Sequence, residues 1–203
     1  MLDIVVAIPS RGTIHSRVLE ARDHNLTSYR WRSVWSHDKP IPDSHNCVVA
    51  RALEHRPSWI WILEEDVEPP ADALVNMIAA ARKTRAKVIA AKYKMAGDTW
   101  CYELRKDGSL MFSGVGCVLI MPEVFEELQY PWFRTDTAFH LNAGKFEPFK
   151  ERGQYGRHDI YFFASLVEKG IVPVLADVVC AHWRVLKFGE PKTNDGCHKI
   201  API

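Results

Sequence analysis

The chain opens on LDIVVAIP, residues 2–9, an unbroken apolar run rich in β-branched side chains that stops at the turn residues Pro9, Ser10 and Gly12. A run of that length and composition predicts a strand buried on both faces. Helical spacing follows over about 14–24, and the alternation in YRWRSVW predicts a second strand near 29–35. Val48, Val49, Ala52 and Leu53 share one face of a helix that Asp43 and Ser44 are placed to cap and Pro57 to stop, with Arg51 on another face. Residues 58–63 repeat the buried-strand signature. Pro69 and Pro70 then open a helix carrying Leu74, Met77, Ile78 and Ala81 at helical spacing, before a further buried strand at 86–93.

This β-α-β-α-β-α-β order predicts an α/β fold, a mostly parallel sheet flanked by helices with right-handed crossovers. The second half departs from it. Strands at 99–105 and 110–121, joined through Asp107-Gly108, predict an antiparallel hairpin extension. A long aromatic and polar loop occupies 131–156, a helix 158–169 stops at Gly170, and IVPVLADVV forms a last strand. No repeat or linker divides the chain, so 1–203 is expected to be one domain.

Composition adds bounds. With 203 residues, 47% of them hydrophobic, the chain is long enough for a sizeable core. A net charge of +1 gives no global field to recruit nucleic acid or anionic membrane, so partner choice must come from a local site. No apolar run approaches the roughly 18 residues that span a bilayer, and MLDIVVAIPSRG has no basic leader. The expectation is a soluble, cytoplasmic chain with no membrane partner. Five cysteines without a CxxC pair are expected to be reduced and mostly buried.

The candidate chemistry lies where strands end. WIWILEEDVEPP runs from a buried strand straight into Glu64, Glu65 and Asp66, and clustered carboxylates at the lip of an open α/β sheet suit a divalent cation. Pro9, Ser10 and Arg11 end a parallel strand and should open on the same edge, where a guanidinium and backbone N–H groups could hold phosphate or a base. Taken alone, the acids also read as a solvated turn before a helix, and Arg11 as a surface arginine.

Together, IPSRG, the ARALEH helix and LEEDVEPP resemble the nucleotide-binding half of GT-A fold glycosyltransferases, the superfamily that includes glycosyltransferase family 2. The resemblance covers roughly residues 2–183. It implies a nucleotide-binding half over 1–95, a sugar- and acceptor-binding half over 96–183 and a tail over 184–203. It also identifies the acidic segment with the DxD motif, which would hold Mn2+ or Mg2+ and the diphosphate of a nucleotide sugar, with UDP-sugar as the expected donor. FSGVGCVLIMP matches the glycine loop of the superfamily through Gly114 and Gly116. Arg157-His158-Asp159 matches its xED segment, with Asp159 as base of an inverting reaction, and His182 in VVCAHW matches the metal-binding histidine.

The implied metal ligands are therefore Asp66, His182 and Glu64. Pro9, Ser10, Arg11, Arg51, Glu64, Glu65 and Asp66 are assigned to the donor, and Gly114, Gly116, Trp132 and His158 to the sugar and acceptor. Two positions depart from the pattern: Glu64 replaces the first Asp of DxD, and His158 replaces the Glu of xED. The acceptor is open among a small molecule, a glycan, a protein and a modified nucleic-acid base. Two other classes also use clustered acids on such a fold: a metal-dependent phosphoester enzyme (nucleotidyltransferase or nuclease) and a non-catalytic nucleotide- or carbohydrate-binding module. The lack of a GGxGT-like loop after the first strand counts against nucleotidyl transfer.

Overall fold

The computed structural model describes residues 2–37, 39–95, 98–135, 139–142, 145–148 and 158–183. The first half follows its periodicity, with β1 (Asp3–Pro9), α1 (Ser16–Leu26), β2 (Arg30–Ser36), α2 (Asp43–Leu53), β3 (Trp59–Leu63), α3 (Ala73–Thr84) and β5 (Val88–Lys92), and adds an unpredicted two-residue β4 (Val67–Glu68) between β3 and α3. The second half contains β6 (Tyr102–Leu104), β7 (Leu110–Ser113), β8 (Cys117–Ile120), α4 (Glu123–Glu127), β9 (Phe139–Asn142), β10 (Lys145–Pro148), α5 (His158–Glu168), β11 (Val174–Val179) and β12 (Ala181–His182). Arg157 and the 184–203 tail lie outside the described residues. No described helix is long and apolar enough to cross a membrane.

Six strands form the central sheet in the order β11-β5-β8-β3-β1-β2. Its β1–β2, β1–β3 and β5–β11 pairs are parallel, and β8 runs antiparallel between β3 and β5. The result is a Rossmann-like, mostly parallel α/β sheet. Because side chains alternate across a strand, Ile4, Val6 and Ile8 of β1 with Trp61 and Leu63 of β3 face α1 and α3. Val5, Ala7, Ile60 and Ile62 face α2, α4 and α5. Each fully buried aliphatic side chain contributes about 1.5–3 kcal/mol on these faces, which explains why the strands read as continuous apolar runs.

Four local expectations are corrected. Asp43 and Ser44 do not cap α2: Pro42 is the N-cap residue, the helix begins at Asp43, and no side chain caps it. Pro69 and Pro70 precede α3 rather than open it. The side chain of Asn25 bridges that turn, donating to the Pro70 carbonyl at 2.8 Å and accepting from Leu74 N–H at 2.9 Å. It thereby satisfies one of the donors that a helix N-terminus leaves unpaired. The loop expected over 131–156 contains the antiparallel pair β9–β10.

The last correction concerns 110–121, which is two strands in two sheets. β7 pairs with β6, β8 joins the central sheet, and Gly114–Gly116 turns the chain between them. A Cβ on Gly114 would stand 1.9 Å from the Tyr93 hydroxyl and 2.4 Å from Cys101 Sγ, well inside contact distance. Gly114→Ala is therefore expected to cost at least about 2–3 kcal/mol by overpacking, a melting-temperature drop on the order of 5–10 °C for a chain of this size. Calorimetry showing a drop of 2 °C or less would remove this account of the glycine.

Candidate functional site at the strand ends

The C-terminal ends of β1 and β3 lie side by side, and one buried carboxylate joins their loops. Glu65 Oε2 accepts from the Ser10 hydroxyl at 2.8 Å and from Arg11 N–H at 2.8 Å, while Oε1 accepts from Arg11 Nε at 2.5 Å. The Glu65 carbonyl accepts from His15 N–H at 3.0 Å. Charge-assisted bonds of this kind are about twice as strong as neutral ones. Glu65 is thus spent on holding the Ser10–Arg11 loop. Gly12, at φ 113°, makes the turn that follows.

Asp66 faces outward from this tie. Arg11, 68% exposed, brings Nη2 to 3.3 Å from Asp66 Oδ2, and His182 Nε2 lies 3.7 Å from the same oxygen. His182 arrives there because β12 pairs antiparallel with β4, setting His182 opposite Val67, and because Trp183 N–H donates to the Asp66 carbonyl at 2.7 Å. Its Nδ1 sits 3.0 Å from the Lys94 carbonyl. That oxygen only accepts, so Nδ1 carries a proton, and in the neutral ring Nε2 turns its lone pair toward Asp66. Burial is the largest influence on this imidazole and lowers its pKa, but the Asp66 carboxylate offsets it and the net shift is upward.

Glu64 turns elsewhere. Its Oε1 is 3.1 Å from His45 Nε2, on the first turn of α2. His45 is only 1% exposed and Nδ1 lies 3.4 Å from Ser44 Oγ. The neighbouring Asn46 clamps the Phe133 backbone, donating to its carbonyl at 2.9 Å and accepting from its N–H at 3.1 Å. Burial pushes Glu64 up to about 7, with the Asp66 charge adding to it, although 21% of the side chain is open. Burial holds His45 down to about 3; it does the same to His158, where a neighbouring His45 charge adds to the effect.

These shifts have a definite sign. An unfolded chain protonates both histidines as pH falls below about 6.5, whereas the folded chain keeps them neutral, so stability falls with pH. Glu64 works oppositely between about 4.5 and 7, where only the folded chain holds its proton. His182, shifted upward, gives its stability fully below 6.5 and leaves the window clear. The net of one proton predicts a loss of about 1.4 kcal/mol per pH unit from pH 6 to 4.5. Urea unfolding in the presence of chelator should show this slope, roughly doubled in Glu64→Gln. A flat or opposite trend would contradict it.

A cleft of about 220 Å³ gathers Pro9, Ser10, Arg11, Glu64, Glu65, Asp66, His158, Asp159 and His182, all singled out from sequence. Asp159 lies in the first turn of α5, with Oδ1 accepting from Ile160 N–H at 2.8 Å. Cys101 also lines the cleft, but burial pushes its thiol up to about 12, so it supplies no thiolate at neutral pH. The four described cysteines are free, and three are buried.

Four expected site residues stand outside the cleft lining. The Arg51 guanidinium is drawn to the Trp35 carbonyl beside β2. Trp132, 8% exposed, packs on Phe125 and donates its indole N–H to the Phe125 carbonyl at 2.9 Å, which makes it part of the core. Gly114 and Gly116 permit close approach, but to Tyr93 and Cys101; Gly116 N–H donates to the Tyr93 hydroxyl at 3.2 Å. Its carbonyl accepts from Glu64 N–H at 2.9 Å, so it supports the acidic loop from behind. His45 was missed. The only signal was its place among three polar residues, Ser44-His45-Asn46, at the ligand edge.

No protein-family model and no curated protein matches the chain. Among solved structures it is similar to A197 from STIV, at 17% identity and a TM-score of 0.64 over 91% of this chain and 87% of that one. Lower likenesses are to TarS 1-349 of S. aureus and to HddC of Yersinia pseudotuberculosis. TarS is 8% identical with a TM-score of 0.46 over 88% of this chain and 60% of that chain. HddC is 11% identical with a TM-score of 0.43 over 64% and 80%. The first likeness is one of fold alone, and the two weaker ones decide nothing.

Proposed function

We propose that this chain is a metal-dependent glycosyltransferase that moves a sugar from a nucleoside-diphosphate donor, UDP-linked, to an acceptor hydroxyl with inversion. The observation that carries the reading is the convergence on one cleft of Asp66, His182, Arg11 and Asp159, brought there from four separate elements. It is the arrangement that the GT-A resemblance implies, placed at the edge where open α/β sheets bind ligands.

The donor set fits the cation. Asp66 offers a carboxylate oxygen, and His182 offers an Nε2 lone pair whose ring is oriented through Nδ1 by the Lys94 carbonyl. Mn2+ or Mg2+ held there would supply Lewis-acid stabilisation of the charge that develops on the departing diphosphate. Arg11, most of it open to solvent, is placed to orient the phosphate oxygens, and Glu65 keeps its loop in register. Asp159 takes the proton of the acceptor hydroxyl as that oxygen bonds to the anomeric carbon and the carbon–oxygen bond to the diphosphate breaks. The N-terminus of α5 favours a carboxylate at this position.

The test is a release assay for free nucleoside diphosphate with Mn2+ across a panel of donor sugars, because slow donor hydrolysis needs no known acceptor. Release from a UDP-sugar supports the reading. No release from any donor, with no metal-dependent melting shift by UDP, overturns it, as would release of pyrophosphate from a nucleotide or cleavage of DNA.

A further inference from the structure

A second polar group lies in the same cleft and uses neither Asp66, His182 nor Asp159. The rings of His45 and His158 pack together with centroids 4.4 Å apart and planes inclined at 50°. One ligand atom from each of these rings and one carboxylate oxygen of Glu64 lie within 4.8 Å of one another. Among the described residues no other three His, Cys, Asp or Glu side chains meet so closely.

His158 makes this group unusual. It is 9% exposed, and neither Nδ1 nor Nε2 has a hydrogen-bond partner among the described residues. Leaving a buried polar atom unpaired costs about 1–3 kcal/mol. His45 sharpens the point. Its Nε2 lies 3.1 Å from Glu64 Oε1, and the Ser44 hydroxyl, which can accept from Nδ1, stands 3.4 Å away on the other side of the ring, so the ring can turn an Nε2 lone pair to an ion. A hydrogen bond between His45 and Glu64 satisfies those two but leaves His158 without a partner among the described residues, whereas a metal ion would bond to all three.

We propose that His45, Glu64 and His158 form a binding site for one divalent transition-metal ion of the nitrogen-preferring Zn2+, Co2+ or Fe2+ class, distinct from the cation assigned to Asp66 and His182. Two imidazoles and one carboxylate select such ions over Mg2+ or Ca2+, which prefer all-oxygen shells. Bonds of about 2.0–2.2 Å set tetrahedral ligands about 3.4 Å apart, a spacing that the group brackets, with His45 Nε2 and Glu64 Oε1 at 3.1 Å and every pair within 4.8 Å. The Ser44 hydroxyl supplies the outer partner that a ligating histidine normally keeps. Three protein ligands leave a coordination position unfilled, and all three residues line the cleft, so that position opens onto it.

The experiment uses the full chain, stripped by chelator and given Zn2+ or Co2+ alone. X-ray absorption at the zinc edge is expected to show two imidazoles in the first shell; one or none, or no zinc bound at millimolar concentration, overturns the proposal. His158→Gln should weaken Co2+ binding, read from its visible bands, by at least about 100-fold, while Asp66→Asn leaves it within about threefold. The reverse pattern overturns the proposal. Circular dichroism of metal-free His158→Gln checks that the variant folds, and if it does not, the absorption result on the unaltered protein decides. Loss of the glycosyltransferase reading would appear separately, as failure of UDP to raise the melting temperature with Mn2+ while the zinc shell keeps its two imidazoles.

Discussion

Exchanging Asp66 for asparagine is expected to abolish the Mn2+-dependent stabilisation by UDP and to lower donor turnover by about 10²–10³-fold. The amide has nearly the shape of the carboxylate but no charge, and it is the charge that serves both the cation and the Arg11 guanidinium 3.3 Å away. Binding linkage makes the readout large. A ligand at 100 times its Kd adds about 2.7 kcal/mol, a melting shift on the order of 5–10 °C for a chain of this size. Calorimetry with UDP and Mn2+, each alone and together, should show the shift in the unaltered protein and none in Asp66→Asn. A variant that keeps the shift would take the nucleotide site away from this loop.

Asp159→Asn should give the opposite division of effects, with UDP and Mn2+ binding within about twofold and sugar transfer reduced by about 10²–10⁴-fold, the usual contribution of a general base. An amide oxygen can still accept from Ile160 N–H as Oδ1 does at 2.8 Å, so the first turn of α5 keeps its geometry. Only basicity is lost. Measuring diphosphate binding and transfer on the same preparation separates the roles: transfer within tenfold of the unaltered protein would remove Asp159 as base, and lost binding would place it among the donor contacts.

The parts of this fold visible in the sequence are those governed by local period. β1, β3 and β5 are apolar runs because both faces of the sheet are covered, and α2 and α3 show their buried stripes directly. The acids after β3 announce themselves by position. What stayed hidden depends on contacts between distant residues. Periodicity continues through 110–121 and cannot show that the chain changes sheets at Gly114–Gly116, where Tyr93 and Cys101 fill the space a side chain would need. His45 resembles any polar residue near a helix start until Glu64 is seen across from it. Trp132, in an aromatic loop, reads from sequence as a sugar or acceptor residue, whereas folding buries it against Phe125 and bonds its indole to the Phe125 carbonyl. β4 and β12 are too short to have a period, yet their pairing delivers His182.

Glu65 ties two loops of the cleft together, and that restraint has a thermodynamic result. By bonding Ser10 and both the backbone and side chain of Arg11, it makes the β1 and β3 loops one stiff body before anything binds. Fixing a residue's backbone costs about 1–2 kcal/mol of entropy. Here folding has already met that cost, so an arriving anion keeps more of its interaction energy as affinity.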